Sequence, residues 1–220
     1  MVKIQRSPVP PASLSMEAKK ACGSYCREDV VIQLREDSCD KCYLCELKNL
    51  SDPEVEHLRS HDNRRRKELV FDWNNLFYAC RHCNLVKTAD KYYDKILDCC
   101  AMDPESVLEH VYMDGHVEIH SKSDDEKARM TADLIQNCFE LKNSGIRVAA
   151  CQHRVHELAE TMGVFYKVLN KYKENPEVQR YRRSLHGMLN RSSKFAAFKR
   201  TYIKKHIRDY PELAELVLEE

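Results

Sequence analysis

Glycine is scarce in this chain, five in 220 residues, and so little of the residue that tight turns favour points to a helix-rich protein rather than a turn-dense β fold. No apolar run approaches the roughly 20 residues that a membrane-spanning helix needs. No charged-apolar-small leader opens the sequence. Eleven cysteines would suggest a disulfide framework in a secreted chain, but an odd count cannot pair completely, so reduced thiols in the cytoplasm are the simplest expectation. There is no internal repeat, and 220 residues are enough to bury a core in one domain or two small ones.

The small net charge of +1 hides an uneven distribution. Between Val164 and Arg208 thirteen Lys and Arg face two acids, Glu174 and Glu177. Such a segment can neutralise phosphates, and Arg182, Arg183, Lys199 and Arg200 are its candidate nucleic-acid contacts. The interleaved Tyr166, Tyr172, Tyr181, Phe195, Phe198 and Tyr202 have helical spacing, which favours core positions over base stacking. A second basic run, Arg64-Arg65-Arg66-Lys67, is either a backbone contact for a polyanion or a solvated loop.

Two Cys-x2-Cys knuckles, Cys42/Cys45 and Cys80/Cys83, enclose 34 residues. Four thiolates in two close pairs can complete a tetrahedral zinc shell with bonds of about 2.3 Å. Cys39 extends the first knuckle into a ladder, so either neighbouring pair could serve; Cys42/Cys45 is favoured and Cys39 is read as a spare thiol. The alternative is four reduced cysteines packed as small apolar residues. A closed four-cysteine shell leaves no open position, so such a zinc would hold structure rather than do chemistry. His82, between the second pair of cysteines, is expected to face solvent.

Chemistry must then come from the enclosed residues. Glu56-His57 could pair a carboxylate suited to a hard divalent ion with an imidazole suited to activating water. Alone, a Glu-His pair is weak, because such pairs are commonly solvated. Its setting is more specific: Glu54-Val55-Glu56-His57-Leu58-Arg59, then Asp72-Trp73-Asn74-Asn75-Leu76, then Cys80-Arg81-His82-Cys83-Asn84-Leu85-Val86-Lys87. In these residues the chain resembles the HNH endonuclease family, whose site is a finger of two strands and a helix. The resemblance implies that His57 is the general base, that Asn75 orients it through a hydrogen bond across the finger, and that Glu56 and Asn84 hold the catalytic ion. Asn84 stands where the family name has histidine, and an amide oxygen beside a carboxylate suits Mg²⁺ or Mn²⁺. Lys87 joins Arg64, Arg65 and Arg66 as a candidate backbone contact near the site.

Met102-Asp103-Pro104-Glu105, Asp114-Gly115, the run from Ala128 to Ile135, Leu141-Lys142-Asn143 with Arg147 and Arg154, and Phe195-Ala196-Ala197-Phe198 extend the likeness. They are similar to the HNH subunit of the Septu and retron-associated anti-phage systems, which is paired with an ATPase. That implies a nuclease effector acting on DNA, or on an RNA such as tRNA, together with an ATPase subunit. One departure is Ser60-His61, where the family pattern has Pro-Lys. A zinc-ribbon module that only binds nucleic acid or protein would also explain the cysteines, and a stand-alone restriction-type enzyme would keep the chemistry without the ATPase.

The expected fold is α+β and mainly helical, with a ββα metal finger, stapled by a structural four-cysteine zinc, embedded in a helical body. Residues 1–38 would form an arm and a helix from Met16 towards Leu34 capped by Ser15, 39–100 the finger, and 101–220 a helical region for substrate or partner binding. Within the finger, strands are expected at Val55 to Leu58 and Leu76 to Ala79, with a helix beginning near Cys83. A hairpin is expected around Asp114-Gly115. Helices should follow near Asp124 to Gln136, Ile146 to Tyr172, Pro176 to Leu189 and Ser193 to Arg208, with a short one from Pro211.

Overall fold

The computed structural model describes residues 1–88, 90–140 and 146–218. Leu141-Lys142-Asn143 and the side chain of Arg147 lie outside the described residues. The chain is mainly helical, with two small antiparallel sheets and a cluster of four cysteines. Among the described residues no helix is long and apolar enough to cross a membrane.

The N-terminal segment differs from expectation. Instead of one helix to Leu34 there are two, α1 (Ala12–Glu17) and α2 (Glu28–Asp37). The break is built by Glu17, whose buried carboxylate accepts from Lys20, from Ser24 N and from Arg27, drawing the chain back over the end of α1. Gly23 makes that approach possible, because a Cβ there would lie 1.9 Å from the Glu17 carbonyl oxygen. Ser13 then ties α1 to α2 by donating its N–H and hydroxyl to Asp29.

Strand β1 (Pro53–His57) pairs antiparallel with β2 (Leu76–Cys80), Glu56 opposite Phe77 and His57 opposite Leu76. A one-turn helix, α3 (Lys67–Val70), lies in the connection, and α4 (Arg81–Lys87) follows β2 directly. Side chains alternate across the hairpin. Val55, Leu76 and Tyr78 pack with Leu14, Val30, Leu34 and Trp73 of the N-terminal segment, whereas Phe77 and Ala79 join the main core with Tyr43, Leu44 and Val86. Every residue of β2 is therefore buried. Arg6 pins the arm by donating to the carbonyls of Trp73 and Leu76 and lying over the Trp73 and Phe77 rings.

The second hairpin, β3 (Leu108–Met113) and β4 (His116–Ser121), turns at Asp114 and Gly115, both with positive φ, as a two-residue turn requires. Helix α5 (Glu126–Phe139) covers it, Gln136 bonding both Ile119 N and Val117 O of β4. Helices α6 (Ile146–Glu174), α7 (Gln179–Leu189), α8 (Ala196–Lys205) and α9 (Ala214–Leu218) complete the body, close to the expected spans. Phe195, Phe198 and Tyr172 are core, and Tyr166, Tyr181 and Tyr202 pack against it, as their helical spacing predicts.

Two expected nucleic-acid contacts belong to this interior. Arg200 is 3 % exposed. It pairs with buried Glu105 at 2.7 Å and donates to the carbonyls of Leu189, Leu216 and Val217, joining the ends of α7 and α9. Lys199, equally buried, donates to Ser193 Oγ, and burial lowers its pKa to about 8. Neither reaches a solvent-borne phosphate. Arg200 is paired internally and Lys199 is buried against a hydroxyl, and a charge count along the sequence does not separate either from surface charge.

Candidate active site

The four cysteines Cys42, Cys45, Cys80 and Cys83 are buried, with their sulfurs all within 4.8 Å of one another. Cys42 and Cys45 lie in a tight turn in which Cys42 N donates to Leu47 O and Glu46 takes positive φ, and Tyr43 N anchors this turn to Tyr78 O of β2. Cys80 ends β2 and caps α4, its sulfur accepting from Cys83 N. The Cys45–Cys80 sulfur separation of 3.9 Å matches the edge of about 3.8 Å expected when four sulfurs sit about 2.3 Å from one tetrahedral ion. Donor type, spacing and burial all fit zinc. Cys39 is exposed and outside the group, so the Cys42/Cys45 pairing holds. Among the described residues it is the one His/Cys/Asp/Glu group with metal-ligand spacing.

Arg154 of α6 donates to Cys80 Sγ at 3.0 Å. Hydrogen bonds from the other three thiols lower the Cys80 pKa, and the Arg154 charge adds to that effect. His82 differs from expectation: it is buried, with Nε2 3.7 Å from Cys151 Sγ. The first turn of α4 faces α5 and α6, so a position between two knuckle cysteines is covered here rather than solvated.

His57 stands at the end of β1, half-buried. Its Nε2–H donates to Val70 O at 3.1 Å, which leaves Nδ1 as the basic nitrogen, with no partner among the described residues. Burial lowers its pKa, with the Val70 bond and the Glu56 charge opposing and His61 adding. The ring meets Tyr25 and His61 edge-on, with centroids 4.5 and 4.4 Å away.

Asn75 is fully buried, but its amide does not bond His57. Oδ1 accepts from Arg59 N at 2.7 Å, and Nδ2 donates to Arg59 O and Leu69 O at 3.0 and 2.9 Å. All the donor capacity of this amide goes to backbone, because the loop leaving β1 would otherwise bury unpaired groups. The effect on His57 is indirect: Asn75 fastens the chain two residues after His57 and one residue before Val70, whose carbonyl holds the ring.

Glu56 does not fit a divalent cation. It is 4 % exposed, its Oε2 accepts from Tyr43 OH at 2.6 Å, and its Oε1 lies 2.6 Å from Lys87 Nζ. The ammonium of Lys87 already supplies the compensating charge, and its other bonds go to the carbonyls of His57 and Leu58 at 2.9 and 3.1 Å. Lys87 is thus buried and internally saturated, not a nucleic-acid contact. Asn84, half-buried, donates through Nδ2 to Glu54 Oε2 at 2.7 Å. Strand alternation puts Glu54 and Glu56 on one face, above α4, with Asn84 under the first and Lys87 under the second.

The basic run is exposed at Arg64, Arg65 and Arg66. Arg64 donates to Gly23 O and lies over Tyr25, Arg65 meets Asp62, and Arg66 meets Asp94. A cleft of about 410 Å³ opens beside them, lined by Lys20, Arg64, Lys67, Val70 and Asp72 among others. Arg182 and Arg183 are exposed on α7, Arg182 pairing loosely with Glu215 at 3.7 Å.

Neither the protein-family models nor the curated proteins contain a match to this chain. Tyr25, Glu54, His61 and the Val70 carbonyl are residues of the site that motif spacing did not flag. Glu54 carried a usable signal, two residues before Glu56 on the same strand face. Tyr25 and His61 carried none, because loops outside any periodic element bring them to His57.

Proposed function

We propose that this chain is a nuclease of the HNH kind that hydrolyses phosphodiester bonds, with His57 as the general base. The supporting observation is the His57 ring itself: its Nε2–H is committed to Val70 O, Nδ1 is left basic, and its lowered pKa keeps it neutral near pH 7. In the proposed reaction water attacks phosphorus and gives a proton to His57 Nδ1 while a P–O ester bond breaks. The leaving oxygen takes a proton from solvent. The cysteine clamp would hold zinc and fix the hairpin and α4 relative to each other, and Asn75 and Lys87 fix the backbone from His57 to Arg59. Arg64, Arg65 and Arg66, and more distantly Arg182 and Arg183, would meet the substrate backbone. The sequence resemblance extends the proposal to an effector working with an ATPase subunit in anti-phage defence, on DNA or on an RNA such as tRNA.

The test is cleavage of plasmid and of structured RNA with Mg²⁺ or Mn²⁺ by wild type and His57→Ala. Loss of a general base should slow the reaction by about 10²–10⁴-fold. Equal cutting after the change overturns the assignment.

A second reading, a zinc-clamped module that binds without cutting, is favoured by the sealing of Glu56 with Lys87. Calorimetry separates the two. A Mg²⁺ or Mn²⁺ site lost in Asn84→Ala supports the metal-dependent nuclease; no such site together with no cleavage supports the module.

A further inference from the structure

His61 carries the next step, and it rests on the nuclease reading of His57. The loop after β1 passes through three consecutive residues of positive φ, Asp62, Asn63 and Arg64. This left-handed turn brings Arg64 N back to His61, whose Nδ1 accepts from it at 2.9 Å. A ring nitrogen that accepts an N–H carries no proton, so the proton of neutral His61 sits on Nε2. His57 is fixed in the complementary sense, with the proton on its Val70-facing Nε2 and the lone pair on Nδ1.

The two rings meet edge to face, centroids 4.4 Å apart at 80°, and both are part-exposed. One therefore presents a base and the other, beside it, an N–H donor. Among the described residues Nε2 of His61 has no partner. Each ring is fixed through a backbone group, so neither needs to reorganise when charge develops nearby.

We propose that His61 is a second catalytic residue, a neutral hydrogen-bond donor whose Nε2–H binds a non-bridging oxygen of the scissile phosphate while His57 takes the proton of the attacking water. His61 transfers no proton: Nδ1 stays an acceptor for Arg64 N throughout, and the P–O bond breaks with solvent protonating the leaving oxygen. The ligand class it selects is a phosphodiester with a free anionic oxygen on that face.

Two amides separate the functions of the ring. An asparagine carbonyl sits near the place of Nδ1 and can keep the Arg64 N–H, but it does not reach as far as Nε2. A glutamine amide places its N–H₂ near Nε2 and restores the outer donor. The full chain is assayed on whichever of plasmid DNA and structured RNA the wild type cuts, with thermal melting of each variant alongside. His61→Asn should melt like wild type yet lose about 10²-fold in kcat with KM little changed, and His61→Gln should recover most of that loss. Wild-type kcat in a folded His61→Asn, a loss expressed only in KM, or equal kcat in the Asn and Gln variants overturns the proposal. Absence of cleavage by the wild type overturns the nuclease reading and this proposal with it, whereas a wild type that cuts and a His57→Ala variant that cuts equally well overturn the assignment of His57 as base.

Discussion

At the scale of single residues, Lys87 shows how a buried charge can be mistaken for a surface one. Its three donors are spent on Glu56 and on the carbonyls that follow it. Lys87→Met should leave an uncompensated buried carboxylate and cost roughly 3–5 kcal/mol in a urea titration, much of it recovered by adding Glu56→Leu. If the double variant is no more stable than the single, the pair is not what Lys87 serves. For His57 the sign of the pH dependence follows from the direction of its shift. A base whose pKa lies below 6.5 is deprotonated at neutrality and loses activity only as pH falls through that lowered value. Cleavage rates should be flat around pH 7 and fall on the acid side of 6.5; a fall already beginning above 7 would contradict it. The residue types of the site were readable from the sequence, as were the strand that carries His57 and the cysteine pairing. Their partners were not. Nothing in spacing distinguishes an Asn75 that bonds a ring from one that bonds three backbone groups, because the difference is set by where Leu69 and Arg59 come to lie.

At the scale of elements, the two-strand hairpin and α4 were placed within a residue or two, since the alternation of β1 and the knuckle at the end of β2 are local patterns. The N-terminal helix was not, because its interruption depends on a tertiary fold-back over the Glu17 carbonyl. The cysteine cluster makes its own prediction. The purified chain should contain one equivalent of zinc by atomic absorption, retained in Cys39→Ser and lost in Cys80→Ser. Chelation should unfold the hairpin, because metal binding and folding are coupled in such a site. Full zinc in Cys80→Ser would contradict the four-thiolate assignment.

At the scale of the molecule, the basic segment from Val164 to Arg208 divides into two populations. Exposed residues such as Arg182 and Arg183 are available to a polyanion, whereas Lys199 and Arg200 are buried inside the body. Arg182→Ala with Arg183→Ala should weaken nucleic-acid binding and flatten its dependence on log salt by about one unit per lost phosphate contact. Lys199→Met should leave binding unchanged. The lowered Lys199 pKa means that the fold bears a penalty for the charged amine below pH 8, relieved as pH rises towards 10.5. Lys199→Met should therefore raise stability at pH 7 by roughly 1–3 kcal/mol and remove part of the wild-type gain between pH 8 and 10.5. A change in salt slope with Lys199→Met, or none with the Arg182/Arg183 pair, would reverse the division.

The contact between Arg154 and Cys80 carries an electrical consequence. Four thiolates around one zinc ion would leave two net negative charges in the interior, and the guanidinium from α6 would halve that excess. The sulfur it touches becomes a poorer nucleophile, so alkylating agents and peroxide should strip the metal faster from Arg154→Ala than from wild type. The long helix that shapes the body thus also governs the chemical durability of the clamp.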